Sequence, residues 1–386
     1  MRKMQLASDD QRALRLHALP DELLALALSF LASTRDLGRA DCVCRAWHAA
    51  GSPVERALIL RIQARGALVP AARPAGAGSL TQRLCWLEIL NAAQGSSDIV
   101  GTGTTLSVAV DAHGRLCVWG DVTDREELIF DYPVPSVITP FDGVRVERVS
   151  VGEVHLLVLT DTGEVLSFGA GRLLQLGHGD AAHRREPKII EALRGVRVVA
   201  IAAGDCHNMV LTDEGVVLSF GPGLYGRLGH ADEEDQLRPK AIEALRGKRV
   251  VAMAAGGGHS LVLTDRGDVF SFGYGREGQL GHGDRADQLE PKRIEALRGV
   301  RVVAIAAGER HSMVLTDKGA VLAFGYGREG QLGHGCVCDR CLPIAVEALR
   351  CVHAVAIAAG SFHSMVLTDK GVTLSFGPCH CCAICC

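Results

Sequence analysis

The chain has 386 residues, close to half of them apolar, with 45 glycines and only 4% aromatic residues. That length exceeds one average domain, and the glycine content suits tight turns between short strands better than long helices. The net charge of −3 and a pI near 6.6, with both signs interspersed, argue against the basic face or tail of a dominant nucleic-acid binder.

No stretch approaches the roughly 18 apolar residues of a membrane span, and no apolar run follows the basic residues of the N-terminus. A cytoplasmic or nuclear protein without membrane contact is therefore expected. Residues 1–15 read as a disordered N-terminus.

A small helical module is expected over 16–56. Pro20 followed by Asp21 and Glu22 marks a helix start, because proline fits an early helical position and acids favour the positive end of the dipole. The LLALALSFL that follows is apolar on nearly every side, so it needs cover on more than one face. A module of about 40 residues cannot supply that cover alone. Ser33 or Thr34 can cap a second short helix, along which Val43, Trp47 and Ala50 recur at helical spacing.

This stretch resembles the F-box at Leu19, Pro20, Glu22, Leu23, Leu28, Phe30, Leu31, Asp36, Leu37, Val43, Cys44, Arg45 and Trp47. The resemblance implies docking on the Skp-type adaptor of a cullin–RING ubiquitin ligase. Leu19, Pro20, Leu23, Leu28 and Leu31 would face that adaptor, and Val43, Cys44 and Trp47 would pack the module or complete its edge.

Residues 57–98 read as a linker. AARPAGAGS at 71–79 is flexible by composition, and an amphipathic helix is expected near 80–93, with Leu84, Leu87 and Leu90 on or near one face and Trp86 as a brace.

From 99 to 377 the chain repeats itself. Gly152, Gly204, Gly256, Gly308 and Gly360 recur every 52 residues, and so do His155, His207, His259, His311 and His363. The Thr-Asp pairs ending at Asp161 to Asp369 and the Phe-Gly pairs starting at Phe168 to Phe376 keep the same register, as do the LGH triplets and Pro187, Pro239, Pro291 and Pro343. An earlier, weaker copy carries Thr105 in place of the histidine and Trp119 in place of the phenylalanine.

Within one copy, VVAIAA, NMVLT and VVLSF are three short strands, Asp213-Glu214-Gly215 is a hairpin turn, and a fourth, more polar strand is expected at 239–244. Four strands per copy give a mainly β fold, a β-propeller of four-stranded blades. The alanine-rich strand suits the crowded axis, and Phe220 and its equivalents suit the wedge between blades.

The set of motifs resembles the repeats of the regulator of chromosome condensation family. That family implies seven blades; one degenerate copy, four full ones and a truncated sixth are visible here. The combined resemblance implies a non-catalytic adaptor whose propeller holds an unknown target protein. A guanine-nucleotide exchange factor or chromatin-associated regulator of a Ran-type small GTPase and a non-catalytic interaction scaffold are the alternatives. A light sensor needs a tryptophan cluster, and Trp47, Trp86 and Trp119 do not supply one in the blades.

The repeated histidines read as hydrogen-bonding elements of the fold, because a catalytic site needs unlike residues converging once. The aspartates read as turn formers, and GYGREGQLG at 273–281 reads as a blade turn, not a phosphate loop. No catalytic residue and no cofactor is expected. The variable loops at 170–175, 222–227, 231–238 and 336–342 are the expected recognition elements, while the copies at 254–305 and 306–335 are so alike that they promise little distinctive surface. Nine of the 14 cysteines follow residue 335. Cys338, Cys341, Cys382 and Cys385 form a weak zinc pattern, set against a Cys-rich tail at 378–386 that simply departs from the repeat.

Overall fold

The computed structural model describes residues 100–378, apart from 103–104, 111–113, 125–126 and 139–143. The F-box-like stretch, the helix expected at 80–93 and the cysteines of the tail lie outside the described residues.

The repeats form six antiparallel sheets, one after another, with neighbouring strands paired in chain order. The first holds β1 (Val100–Thr102), β2 (Leu106–Val110), β3 (Leu116–Asp124) and β4 (Glu127–Ile138). The second holds β5 (Val146–Val151), β6 (His155–Thr160), β7 (Val165–Gly169) and β8 (Arg184–Ile189). The third holds β9 (Val198–Ala203), β10 (Asn208–Thr212), β11 (Val217–Gly221) and β12 (Gln236–Ala241). The fourth holds β13 (Val250–Ala255), β14 (His259–Thr264), β15 (Val269–Gly273) and β16 (Gln288–Arg293). The fifth holds β17 (Val302–Ala307), β18 (His311–Thr316), β19 (Val321–Gly325) and β20 (Arg340–Ala345). The sixth has three strands among the described residues, β21 (Ala354–Ala359), β22 (Ser364–Thr368) and β23 (Thr373–Phe376). Seven four-stranded blades are thus not what these residues form, because the sequence supplies only six copies of the register.

The innermost strands β1, β5, β9, β13, β17 and β21 pack against one another from blade to blade, which places the alanine-rich segments at the axis. The second strands are buried on both faces, as in β6, β14 and β18, because each blade is sandwiched between two others. The core therefore lies in the seams. Leu157, Leu159 and Val165 of the second blade pack with Val198, Val210 and Phe220 of the third, and the pattern repeats at the next seams.

Two local expectations need correction. The fourth strand of the third blade runs Gln236–Ala241, not 239–244, so Pro239 sits inside it. This is tolerated because β12 is the outermost strand and its proline needs no ladder donor. The apolar residues beyond it belong to a 3-10 turn at Glu243–Leu245, which presses Ile242 and Leu245 into the seam with the fourth blade. The hairpin turn forms at the expected residues, with Gly215 at a φ of 79°, but the aspartate does not brace it through its side chain. The hydroxyl of Thr212 accepts the N–H of Val216 at 3.1 Å, while the Asp213 side chain is exposed and its backbone N–H donates to Arg197 O.

Candidate functional site: histidine seams and an aromatic-basic notch

The repeated histidines are buried in the seams. His155 meets the Oδ1 of Asn208 at 2.8 Å, and His207, His259 and His311 meet the Oγ of Ser260, Ser312 and Ser364 at 2.8–2.9 Å, always one blade further on. Each serine hydroxyl donates its single proton to a main-chain carbonyl, of Arg227, Gln279 and Gln331 respectively. The histidine must therefore be the donor, which fixes the Nε2–H tautomer and leaves Nδ1 without a hydrogen-bond partner. Burial holds these rings neutral: it lowers His155 to about 4 and His259 and His311 to about 3, and drives His207 well below the ordinary value.

The repeated glycine is explained by the same contact. A Cβ on Gly204 would collide with the carbonyl oxygen of Gly256 and the ring of His207. Gly152, Gly256 and Gly308 are crowded in the same way by His155, His259 and His311 and by the next glycine's carbonyl, and Gly360 by His363. The LGH histidines hold the blade edges: His178, His230 and His282 bond Ser167, Ser219 and Ser271 at 3.0 Å, and His334, with Ala323 in the serine position, bonds its carbonyl at 3.2 Å.

The residues just after the repeated glycines follow one another from blade to blade, the Glu153 N–H donating to Asp205 O at 3.2 Å and the Gly257 N–H to Glu309 O at 3.2 Å. They are Glu153, Asp205, Gly257, Glu309 and Ser361. Burial, followed by the charges of Glu153 and Glu309, raises the Asp205 carboxyl to about 6, against the opposing pull of Arg227 and Arg310. Cys206 beside it is raised to about 11, again mainly by burial.

The fourth blade carries no side chain there, because Gly257 and Gly258 stand where its neighbours have Asp205-Cys206 and Glu309-Arg310. Arg227 occupies the space: it takes the position that Gln175, Gln279 and Gln331 hold in other blades, is buried, and donates to Leu224 O at 2.9 Å and Gly257 O at 3.4 Å. Above it the Tyr225 and Tyr274 rings meet with centroids 4.9 Å apart, and the Arg276 guanidinium lies 5.8 and 5.9 Å from them. Tyr225 holds a left-handed backbone with φ of 64°, a costly conformation for a residue with a Cβ.

The notch thus combines half-buried tyrosines, arginines of different burial and a carboxyl that burial raises to about 6. Tyrosine and arginine are the side chains that dominate protein-binding surfaces. The variable loop at 222–227 contains Tyr225 and Arg227, but the fourth blade was expected to offer little distinctive surface, and it supplies Tyr274 and Arg276. The signal in the sequence is the Gly257-Gly258 pair, which opens the space.

The remaining site expectations are placed as follows. Leu19, Pro20, Leu23, Leu28, Leu31, Val43, Cys44 and Trp47 lie outside the described residues, as do Cys382 and Cys385. Cys338 lies in the connection between β19 and β20, and Cys341 is the second residue of β20. Among the described residues no group of three or more His, Cys, Asp or Glu side chains is placed to hold a metal, and no helix is long and apolar enough to cross a membrane.

Comparison with known proteins agrees with the fold. Residues 16–53 match the F-box-like family, and residues 250–279 and 302–331 match a second description of the regulator of chromosome condensation repeat. The chain is 36% identical over 283 residues to the ultraviolet-B receptor UVR8 of Arabidopsis thaliana, covering 72% of this chain and 64% of that protein. It is 37% identical over 283 residues to the human E3 ubiquitin-protein ligase HERC2, of which it spans only 6%. Among solved structures it is similar to human WBSCR16, with a TM-score of 0.62 and 27% identity over 70% of this chain and 71% of that one. It shares the fold of Prp20p from Saccharomyces cerevisiae, with a TM-score of 0.63 and 22% identity over 74% of this chain and 72% of that one. The regulator of chromosome condensation (RCC1) repeat itself matches at 162–211, 214–263, 266–315 and 318–367, more than half of the chain, so this protein belongs to that repeat family and carries an F-box-like segment ahead of its repeats.

Proposed function

We propose that this chain is a substrate-recruiting adaptor of a Skp–cullin–F-box type ubiquitin ligase, acting in the cytoplasm or nucleus and leaving catalysis to its partners. The observation that carries this reading is the pairing of an F-box-like segment at 16–53 with repeats that form a propeller. An apolar helical segment led by Leu19, Pro20 and Leu23 gains its missing cover by docking on a Skp-type adaptor. The repeats then present a target-binding surface, for which the notch of Tyr225, Tyr274, Arg227 and Arg276 has the right chemistry. Similar repeats in proteins named as E3 ubiquitin-protein ligases are consistent with this role.

The test is co-purification of the full chain with a Skp-type adaptor, comparing wild type with the Pro20→Ala/Leu23→Asp double variant. Loss of adaptor in the variant supports the assignment, and equal recovery overturns it. A parallel capture of cellular targets by Tyr274→Ala/Arg276→Ala separates the two halves of the proposal, because that variant should lose targets while keeping the adaptor.

A further inference from the structure

The repeat builds the same small anion-holding turn in successive blades, and the fifth blade places a thiol in it. In the second blade the carboxylate of Asp180 accepts the backbone N–H of Ala182 at 3.1 Å and pairs with the guanidinium of Arg184 at 2.7 Å. These two contacts hold its carboxyl below the usual range, the backbone donor contributing most. Asp232 in the third blade and Asp284 in the fourth accept the corresponding N–H groups of Glu234 and Ala286, each at 3.1 Å. Counting forward by the 52-residue register, the equivalents of Asp180, Ala182 and Arg184 in the fifth blade are Cys336, Cys338 and Arg340.

The fifth blade keeps the arginine of the second, where the third and fourth have Gln236 and Gln288, although its acceptor is a thiol. Arg340 donates through Nη2 to the Sγ of Cys336 at 3.3 Å. Hydrogen bonding from the Cys338 thiol and then from its backbone N–H, followed by the Arg340 charge, lowers the Cys336 thiol from its ordinary value. The same hydrogen bond and charge raise Cys338. Cys336 is half-buried and Cys338 is exposed. A turn that receives a carboxylate in the other blades here receives the sulfur of Cys336, with a second thiol two residues away.

We propose that Cys336 is a modification site: a thiolate that reacts with hydroperoxides and then closes a disulfide with Cys338. In the first step the Cys336 sulfur attacks the peroxide O–O bond; an S–O bond forms, the O–O bond breaks, and the leaving oxygen takes a proton from water. The product is a sulfenic acid on Cys336. In the second step the Cys338 sulfur attacks it, an S–S bond forms, the S–O bond breaks, and the oxygen leaves as water with the thiol proton. Two thiols lose two electrons, and one hydroperoxide is reduced by two.

The site adjoins firm structure. Asp339, between the two cysteines and Arg340, accepts the backbone N–H of Gly327 at 3.2 Å and pairs with Arg285 of the preceding blade at 3.1 Å. Arg328 lies 3.8 Å from the same carboxylate. Closing the disulfide would remove the anion that Arg340 holds and reshape a loop beside that interblade ion pair.

The test uses the full-length protein and hydrogen peroxide, with mass spectrometry of the peptide 329–340, which contains only these two cysteines. Wild type should yield the Cys336–Cys338 disulfide, and Cys338→Ser should instead trap a dimedone-reactive sulfenic acid on Cys336. Two further variants substitute residues that the fourth blade already uses at these positions. Cys336→Asp reproduces Asp284 and should end peroxide reactivity in this peptide. Arg340→Gln reproduces Gln288 and should slow alkylation of Cys336 by iodoacetamide by about threefold or more. Oxidation of Cys336 no faster than that of the exposed Cys351, or an alkylation rate unchanged in Arg340→Gln, overturns the proposal.

Discussion

His207 donates its Nε2 proton to the Oγ of Ser260, 2.8 Å away on the next blade, and Ser260 passes its own proton to the carbonyl of Arg227 at 2.9 Å. One hydroxyl thus joins a side chain of one blade to the main chain of that same blade through its neighbour. Three further seams are closed the same way, with Asn208 serving in the first. The bonds are buried, so losing one leaves desolvated polar groups behind.

The seam between the fourth and fifth blades gives the cleanest measurement. Ser312→Ala strands the His259 N–H and the Gln279 carbonyl together. It should destabilise the protein by about 2 kcal/mol. A double-mutant cycle with His259→Ala should show coupling of about 1 kcal/mol in urea unfolding. A cost for Ser312→Ala below about 0.5 kcal/mol would show that the seam bond adds no stability.

Acid should weaken the propeller through the same histidines. Their folded-state values, about 4 for His155 and about 3 for His259 and His311, lie below the ordinary 6.5. The unfolded chain therefore takes up protons first as pH falls. The contribution of these histidines is intact above about pH 6.5 and is lost as pH falls toward about 4 for His155 and about 3 for His259 and His311, by on the order of 3 kcal/mol or more for each fully buried ring. Thermal unfolding across that range reads the slope, and His259→Gln should flatten it; an unchanged slope in that variant would mean the ring does not carry the effect.

Leu174 adopts a φ of 64° at the position that Gly226, Gly278 and Gly330 fill in the following blades with φ of 75°, 85° and 77°. A left-handed leucine costs roughly 1–2 kcal/mol, and glycine relieves it at some loss of chain entropy. Since Leu174 is only half-buried, Leu174→Gly should raise stability by about 0.5–1 kcal/mol. A loss of stability in denaturant titration would show that its side-chain contacts outweigh the strain.

Much of this was legible before any coordinates. The 52-residue register fixes the blades, their hairpins and the need for repeated glycines. It cannot say which copy a residue contacts, because a partner in the same blade and one in the next have the same spacing modulo the repeat. Gly177 illustrates this: its Cβ would fall 2.9 Å from the ring of Phe220, in the following copy. One clue to the histidine seams was nevertheless in the sequence. The residue after each histidine position is apolar in Leu156 and polar in Asn208, Ser260, Ser312 and Ser364, whose preceding blades all have a histidine. The blade before Leu156 has none, and its histidine position is held by Leu106, not by Thr105 as expected, since Leu106 pairs with Gly120 as His155 does with Gly169. The misplaced outer strand has a different cause: Ile242 and Leu245 look like strand residues, but a short 3-10 turn buries them.

Arg227 gives the last prediction, because it alone breaks the run of buried glutamines at its position among the blades from the second to the fifth. Its guanidinium lowers the Asp205 carboxyl while burial, Glu153 and Glu309 raise it to about 6. Arg227→Gln restores the residue of the other blades and should leave the fold intact. It removes the larger of the two opposing charges, so Asp205 should titrate higher still, and more of it should be protonated at neutral pH. A raised carboxyl contributes stability at low pH that is lost as pH rises through its folded value, about 6 in wild type; in the variant that loss should extend to higher pH. Carboxyl chemical shifts followed through a pH titration measure the first effect directly. A downward or absent shift at Asp205 would mean that Arg227 serves the notch only through its bonds to Leu224 and Gly257 and its place under Tyr225.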